Sequence, residues 1–256
     1  MSTVLPTREN YKSGAVSPIG RAWGLTKNVP FPNLYIKMLP EFKNWIYLEE
    51  EAIELKGKWK DVFEKSEQPL DLEIGCGNGF FFGQQVEKVP TRNLLGIELK
   101  YKPLVQTVRR VKDKNLPNGR GIRFHAGYID GIFSPQELHK VFIYFPDPWP
   151  KKRQKKNRLI NKDFLAKLYT LQKPGQFLDF KTDSEDYFNF VLEETKSSSY
   201  KMIGHTRDLH KSEWAEENFL TSFEKIFASK GQPIYFMRLQ THSQFQEMGS
   251  SVVDVV

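Results

Sequence analysis

From about residue 69 onward, short stretches rich in β-branched and aromatic residues alternate with stretches of helical periodicity. Parallel strands need a crossover connection between them, and a helix usually supplies it. The alternation therefore predicts an α/β fold, in which a mostly parallel sheet carries helices on both faces. Helices are expected at 101–112, 161–171 and 186–195. Seven strands are expected, at 70–75, 93–99, 122–127, 140–145, 175–182, 200–206 and 233–239.

The remainder of the chain is predicted to be less regular. Residues 1–40 are rich in Pro, Gly and Asn without a sustained period, which is typical of an irregular arm. Residues 45–63 place apolar side chains near helical spacing and are expected to form a helix. Residues 240–256 have no period and are expected to form a loose tail. A single domain is thus expected to span residues 41–239.

Composition limits the classes of protein to which this chain can belong. Its 256 residues, 39% of them hydrophobic, suffice for one large domain. A net charge of +7 is compatible with a nucleic-acid partner, although solvated basic faces are also common. Cys76 is the single cysteine, so no internal disulfide can form and a reducing compartment is expected. Because the chain also lacks a signal-peptide pattern and an apolar span of ~18 residues, we expect a soluble, cytoplasmic protein without membrane contact or an obligatory protein partner.

The first predicted strand ends in the glycine-rich turn DLEIGCGNGF, whose glycines are Gly75, Gly77 and Gly79. Glycines let backbone N–H groups approach a bound ligand closely. The spacing departs from the G-x-G-x-x-G of NAD-binding folds, because Phe80 occupies the third glycine position. It resembles instead the E/D-x-G-x-G-x-G loop of S-adenosylmethionine-dependent methyltransferases with the Rossmann-like fold. Gly75 and Gly77 are therefore expected to line a cofactor site.

Acidic residues near this turn support a cofactor that contains adenosine. Glu98 closes the second strand, where a carboxylate can accept hydrogen bonds from both ribose hydroxyls. Glu73 lies inside the first strand, and a carboxylate is costly to bury unless it is paired. Cys76 is expected to be a small loop side chain beneath the cofactor rather than a nucleophile. Ala126 ends the third strand, where a backbone N–H could contact the adenine ring.

The segment FPDPWPKKRQKKNR, residues 145–158, combines one carboxylate with a dense basic run. Asp147 follows the fourth strand, at the edge where ligands bind in this class of fold, and the flanking prolines hold it in an extended turn. Trp149 could stack on a base or pack in the core. The basic run could grip nucleic-acid phosphates or form a solvated face. Its cations are Lys151, Lys152, Arg153, Lys155, Lys156 and Arg158.

Six short stretches together give a specific family resemblance. The sequence is similar to the tRNA (guanine-N7-)-methyltransferase family over roughly residues 69–239, and the stretches occur in the family's order. The longest of them is much more specific than the glycine loop alone. The matching stretches are EIGCGNG, GIE, FPDPWPKKRQKKNRL, KTD, TSFE and GQPIYFMRL.

The resemblance implies methyl transfer from S-adenosylmethionine to N7 of a guanosine at position 46, in the variable loop of tRNA. Asp147 would be the catalytic residue. The implied cofactor contacts are Glu73, Glu98, Ala126 and Asp147. The implied substrate contacts are Lys151, Asp183, Thr221, Ser222, Phe223 and Glu224. The implied tRNA contacts are Arg153, Gln154, Lys155, Lys156, Asn157 and Arg158. The sequence departs from the family at three of these positions: Ala126 replaces a polar residue, and Gln154 and Asn157 stand where His and Arg are more common.

Several of these residues have a plain structural alternative. Asp183 could cap the helix that follows it, with Ser184 competing for that role. Thr221 and Glu224 have the spacing of an N-terminal capping box. Two other functions compete with the main one: methylation of an exocyclic amine, and non-catalytic RNA binding on a decayed methyltransferase fold. The five histidines show no metal-ligand spacing with the single cysteine, so no metal is expected.

Overall fold

The computed structural model describes residues 33–242, which form a sheet flanked by helices on both faces. In this range the sheet has eight strands in the order β1-β4-β3-β2-β5-β6-β8-β7. Strand β8 runs antiparallel to both of its neighbours, and every other pairing is parallel. The strands are β1 (Ile46–Tyr47), β2 (Leu70–Ile74), β3 (Asn93–Glu98), β4 (Gly119–Arg123), β5 (Val141–Tyr144), β6 (Phe177–Thr182), β7 (Lys201–Thr206) and β8 (Tyr235–Gln240). The α/β, mostly parallel fold is confirmed, and the predicted count of seven strands is short by β1.

Seven α-helices lie in the described range. They are α1 (Leu34–Met38), α2 (Glu49–Glu54), α3 (Phe80–Lys88), α4 (Tyr101–Lys112), α5 (Lys162–Leu171), α6 (Glu185–Lys196) and α7 (Ser222–Ala228). Helices α3 and α4 pack on one face of the sheet, while α2, α5 and α6 pack on the other. Both faces of β2 to β5 are therefore covered, which agrees with their nearly continuous burial.

The predicted helix over 45–63 is wrong, because this stretch contains β1, α2 and a 3₁₀ turn at Trp59–Val62. Gly57 has a φ of +77°, which ends the helical path, and its N–H donates to the Glu137 carboxylate at 3.0 Å. The Trp59 indole N–H donates to the Ile132 carbonyl at 2.7 Å. The apolar residues thus come from several short elements and pack in two clusters, since Ala52, Trp59 and Phe63 belong to one and Trp45 and Leu48 pack against another. Their spacing only imitates a helix.

The third predicted strand, which is β4 in the structure, begins and ends earlier than predicted. It covers Gly119–Arg123 rather than 122–127, because its sequence GRGIR has little of the composition of a strand. A Cβ atom at Gly121 would lie 2.5 Å from Val108 and 2.8 Å from Leu104. The glycine therefore allows α4 to pack directly on β4.

Both ends of the predicted domain extend further than expected. Residues 33–40, placed in an irregular arm, include α1 and the start of a 3₁₀ turn at Leu39–Phe42. Ile36 and Leu39 are buried against Leu104 and Val105 of α4. At the other end, Gln240 belongs to β8 and Thr241 is buried. Residues 1–32 and 243–256 of the expected arm and tail lie outside the described range.

Strand order reverses between β2 and β5, which places a topological switch point there. In open α/β sheets, ligands bind beyond the carboxyl ends of the strands at such a point. The segments that follow β2, β3, β4, β5 and β6 carry most of the residues expected to bind the cofactor and the substrate. These segments begin at Gly75, Leu99, Phe124, Phe145 and Asp183.

Candidate active site

The glycine loop after β2 adopts a backbone conformation that other residues rarely reach. Gly75, Gly77 and Gly79 have φ values of +80°, +54° and +75°. A Cβ atom at Gly79 would lie 2.6 Å from the Cα atom of Thr107 in α4. The Thr107 hydroxyl donates to the Gly77 carbonyl at 2.7 Å. The loop is thus fixed on α4, with open space beside Gly75, where a Cβ would have no neighbour within 4 Å.

Glu98 joins the glycine loop to the end of β3. Its carboxylate accepts a hydrogen bond from the Gly77 N–H at 3.2 Å. The same carboxylate accepts bonds from the N–H groups of Leu99 at 2.8 Å and Lys100 at 2.9 Å. The structure therefore brings together Gly77 and Glu98, two predicted cofactor contacts from different strands, and backbone N–H groups orient the carboxylate.

Glu73 is the most unusual carboxyl group of the site. It is 4% exposed, and its Oε2 atom has no hydrogen-bond partner among the described residues. Burial and, to a smaller extent, the neighbouring Glu98 raise its pKa, and Lys181 opposes them, so that the pKa lies at about 8. An orphaned carboxyl oxygen beneath an open glycine loop suits a ligand that carries a positive charge or a donor. The residues present therefore fit S-adenosylmethionine, which carries both.

Asp147 lies on an exposed turn directly after β5. Phe145 and Trp149, on either side of it, have φ values of +52° and +44°, a region that residues other than glycine seldom adopt. The Phe145 N–H donates to the Lys181 carbonyl at 2.8 Å, which fixes the start of the turn to β6. Trp149 is partly exposed, so it is not simple core packing.

Asp183 follows β6 at the same edge of the sheet and is half-buried. Burial raises the pKa of its carboxyl group. The cap of α6 is Ser184, whose hydroxyl accepts from the Tyr187 N–H at 3.3 Å. The capping alternative therefore belongs to Ser184, and Asp183 remains a candidate for the substrate.

The TSFE stretch forms the capping box that was the structural alternative for it. The Thr221 hydroxyl accepts from the Glu224 N–H at 3.0 Å, and the Glu224 carboxylate accepts from the Thr221 N–H at 3.3 Å. Thr221 is buried and Glu224 is 0% exposed, whereas Phe223 is 54% exposed. No surface of Glu224 is accessible to a substrate, in contrast to the expectation. The structure does not describe the side chain of Ser222.

Lys181 is a member of the site that the sequence did not single out. It is buried in β6, and its ammonium contacts the Glu224 carboxylate at 3.4 Å and lies 4.3 Å from the centre of the Tyr144 ring. Its other partners are the Asn218 side chain and the Phe219 carbonyl. A charged residue within a buried strand was the available signal, because it requires buried partners. Lys181 thus connects Glu224, in the first turn of helix α7, with the surroundings of Glu73.

The basic run is divided into exposed and buried members. Residues Lys152–Asn157 form a 3₁₀ turn without a buried residue. Lys155 donates to the Asp186 carboxylate at 2.6 Å. Arg158, expected to contact tRNA, is 2% exposed and bonds to Pro148 and Asp186 instead. The exposed members are Lys151, Lys152, Arg153, Lys156 and Asn157, and Gln154 and Lys155 are partly exposed.

Ala126 begins a short 3₁₀ stretch, Ala126–Gly131, just beyond β4. It is partly buried at the same edge as Glu98, since Glu98 is paired with Arg123 in the neighbouring strand. The Gly127 N–H donates to the His125 ring at 3.2 Å. Ala126 thus lies at the edge where the adenine contact is expected, and the contact itself stays a prediction, since the side chain supplies no polar group.

Within residues 33–242, no group of three or more His, Cys, Asp or Glu residues is arranged to hold a metal ion. In the same range, no helix is long and apolar enough to cross a membrane.

The fold and the site together define a class. The class is that of the S-adenosylmethionine-dependent methyltransferases with the Rossmann-like fold. Its marks are a mostly parallel sheet with a switch point, an open glycine loop after β2 and a carboxylate at the end of β3. A family model described as "Putative methyltransferase" matches residues 67–237. By this match and by the relatives that follow, the chain belongs to the tRNA (guanine-N7-)-methyltransferase family.

Two relatives illustrate the match. The tRNA (guanine-N(7)-)-methyltransferase of Bdellovibrio bacteriovorus is 47% identical over 187 residues, which cover 72% of this chain and 90% of the relative. The enzyme of the same name from Clostridium novyi is 40% identical over 182 residues, covering 71% and 85%. Among solved structures, a 30S ribosomal A1408 methyltransferase from an uncultured bacterium aligns at 15% identity with a TM-score of 0.49, covering 75% of this chain and 95% of that one.

Proposed function

We propose that this protein transfers a methyl group from S-adenosylmethionine to N7 of a guanosine in tRNA, at position 46 of the variable loop. The observation that carries the proposal is the buried carboxyl of Glu73, whose Oε2 has no hydrogen-bond partner within residues 33–242. It lies by the open glycine loop, next to Glu98 and one strand away from the Asp147 turn. The family membership supports both the reaction and the substrate. In this proposal residues 33–242 act as one domain, and the activity is cytoplasmic.

Glu73, Gly75, Gly77 and Glu98 would hold the cofactor. The Glu73 carboxylate, below the loop, would accept a hydrogen bond from the cofactor or form an ion pair with its positive charge. The Glu98 carboxylate would accept hydrogen bonds from the ribose hydroxyls. A backbone group at Ala126 would border the adenine ring. When bound, S-adenosylmethionine supplies a methyl group made electrophilic by the positive sulfur.

Asp147 and Asp183 would orient the guanine. Guanine N7 has a lone pair and no proton at neutral pH, so the site needs positioning and electrostatics rather than a general base. The two carboxylates follow neighbouring strands, β5 and β6, so they approach one ligand from the same edge. They can accept from the N1–H and N2–H donors of guanine, and their negative charge stabilises the positive charge that the ring gains.

Exposed side chains around the turn would hold the tRNA. Lys151, Lys152, Arg153 and Lys156 lie on the surface beside Asp147 and would contact phosphates, with Lys151 nearest the reacting nucleotide. Phe223 packs against Phe145 of the turn, with ring centroids 6.0 Å apart, and is 54% exposed. An aromatic ring held in this way can stack on an unpaired base.

The direct test is incubation of the protein with unmodified tRNA and S-adenosylmethionine labelled on the methyl group, followed by nucleoside mapping. We expect N7-methylguanosine at position 46. Label found in a nucleoside that is methylated on an exocyclic amine, such as N2-methylguanosine, would contradict the proposal and support the competing activity, methylation of an exocyclic amine. Binding of tRNA without binding of S-adenosylhomocysteine would indicate a decayed methyltransferase.

Asp147→Ala should abolish methyl transfer while circular dichroism shows an intact fold, because the Asp147 side chain is exposed on the turn and its removal leaves the core unchanged. Lys65→Ala, an exposed change at the opposite edge of the sheet, is the control and should keep full activity. Turnover by a folded Asp147→Ala protein near the wild-type rate would remove Asp147 from the catalytic role.

A further inference from the structure

Arg158 differs from the other cations of the basic segment in its burial. Its side chain is 0% exposed, although it belongs to the run that the sequence assigns to phosphate binding. The guanidinium carbon lies 4.9 Å from the ring centroids of both Tyr187 and Phe190. A guanidinium enclosed by two aromatic rings offers no surface to a phosphate.

The hydrogen bonds of Arg158 connect two loops of the candidate active site. Its Nε–H donates to the Pro148 carbonyl at 2.9 Å. Its terminal N–H groups donate to the Asp186 carbonyl at 3.4 Å and to the Asp186 carboxylate. Pro148 directly follows Asp147, and Asp186 lies in the first turn of α6, just after Asp183. One side chain therefore ties together the two segments that carry Asp147 and Asp183.

The turn that carries Asp147 needs such support. Phe145 and Trp149 both have positive φ, and backbone in this region persists only where the surroundings hold it. Pro148 has no N–H group, so its carbonyl is its only backbone group that can be anchored. The segment that carries Arg158 is itself held to α6, because the Tyr187 hydroxyl accepts from the Ile160 N–H at 2.9 Å.

We propose that Arg158 is a positioning residue that fixes the Asp147 turn relative to Asp183 and does not bind tRNA. The inference rests on the proposed function for the roles of the two aspartates, but the contacts of Arg158 do not depend on it. Asp186 completes the arrangement, since its exposed carboxylate holds Arg158 and also Lys155.

Two substitutions separate positioning from phosphate binding. Arg158→Lys keeps one positive charge but cannot reach Pro148 and Asp186 with a planar fork. Arg158→Met keeps apolar volume between the two rings and removes the charge. Lys156→Ala, an exposed neighbour in the same segment, is the matched control. A phosphate contact would survive in Arg158→Lys, whereas a positioning contact would be lost in both Arg158 variants.

The first readout needs neither tRNA nor activity. The protein is labelled with 5-fluorotryptophan, and the ¹⁹F resonance of Trp149 is assigned with Trp149→Phe. We expect the Trp149 resonance to shift or broaden in both Arg158 variants, while Trp59, 0% exposed in the core, keeps its resonance. Lys156→Ala should change neither. An unchanged Trp149 resonance, or equal changes at Trp149 and Trp59, would overturn the proposal.

The second readout uses the whole enzyme with tRNA. Both Arg158 variants should lower kcat at saturating tRNA roughly 10- to 100-fold, because a small displacement of a reacting group is costly. The slope of log tRNA affinity against log salt should stay at the wild-type value, whereas Lys156→Ala should reduce it by about 0.7–0.9. Lys65→Ala, exposed at the opposite edge of the sheet, is the control for both quantities and should keep the wild-type kcat and slope. Full kcat with a reduced slope in Arg158→Met, restored in Arg158→Lys, would make Arg158 a phosphate contact. A wild-type enzyme that forms no N7-methylguanosine would instead refute the proposed function, and the ¹⁹F result would still decide the role of Arg158.

Discussion

At the scale of single residues, Glu73 shows how a ligand site is prepared at a cost to the fold. Its carboxyl is buried, one of its oxygens has no partner in the part of the chain that the structure describes, and burial followed by the charge of Glu98 raises its pKa to about 8. The folded protein therefore holds a proton on Glu73 at neutral pH that the unfolded chain releases. A cationic ligand would reverse the balance, because it favours the ionised carboxylate.

The first prediction concerns the pH dependence of stability. The folded state binds more protons than the unfolded state between the ordinary pKa of a glutamate and about 8, so Glu73 lowers the free energy of unfolding as pH rises through that window. The effect is on the order of 1.4 kcal/mol for each pH unit. Glu73→Gln should therefore flatten the decline in melting temperature between pH 5.5 and pH 8. Parallel wild-type and Glu73→Gln curves over this range would show that Glu73 titrates normally.

The second prediction concerns Glu98 and the cofactor. Glu98→Ala should weaken the binding of S-adenosylhomocysteine by about 1.5–3 kcal/mol, or roughly 10- to 150-fold, because ribose hydroxyls lose a charged acceptor. The Gly77 N–H also loses its partner, which loosens the glycine loop. Titration calorimetry measures the change, and tRNA binding serves as the control and should be nearly unaffected. Wild-type cofactor affinity in the variant would contradict the assignment.

At the scale of elements, helix α7 is held in place from inside the molecule rather than by its own length. It has only seven residues, and its N-terminal capping box is anchored by the buried Glu224. The Glu224 carboxylate contacts the Lys181 ammonium at 3.4 Å and the His210 ring at 2.8 Å. The exposed ring of Phe223 therefore depends on a charge pair beneath it.

The third prediction tests this anchor. Glu224→Gln should destabilise the protein by about 3–5 kcal/mol, because it leaves the buried Lys181 without its countercharge. The added change Lys181→Met should recover part of the loss, since it removes the unpaired cation. Lys225→Ala, an exposed position of the same helix, is the control and should change stability little. Urea unfolding measures all four proteins, and equal stabilities of wild type and Glu224→Gln would show that the charge pair is unimportant.

The same elements show which features a sequence can predict. Strands β2, β3, β5 and β6 are rich in aliphatic and aromatic residues and are bounded by breakers, so their positions follow from composition. Strand β1 has two residues, and β4 consists largely of glycine and arginine, so neither carries that signal. The glycine loop, Glu98 and Asp147 are placed at one edge by strand order, which alternation predicts. The burial of Arg158 and Glu224 depends on contacts with distant segments, so it cannot be predicted from the local sequence. A run of basic residues, or the spacing of a capping box, is the same in the sequence whether the side chains are exposed or buried.

At the scale of the whole molecule, the net charge of +7 is not spread evenly around the site. Exposed cations at 151–156 lie next to the Asp147 turn at the carboxyl edge of the sheet. Arg158, which we propose as a positioning residue, and Lys155, which is paired with Asp186, have partners within the protein. The exposed residues Lys152, Arg153 and Lys156 are therefore the best candidates for contacts with a polyanion.

The last prediction tests that surface. Replacement of Lys152, Arg153 and Lys156 with Ala should weaken tRNA binding and reduce the slope of log affinity against log salt by about two to three, because each phosphate contact contributes about 0.7–0.9. The matched control is the triple change of Lys65, Lys114 and Lys173, exposed residues near the amino ends of the strands, which removes the same charge from the opposite edge. Its salt slope should stay near the wild-type value, and both triple variants should keep cofactor affinity and the position of the modified nucleoside. Equal loss of slope in the two variants would mean that tRNA responds only to net charge. A wild-type slope in the first variant would mean that another surface holds the tRNA.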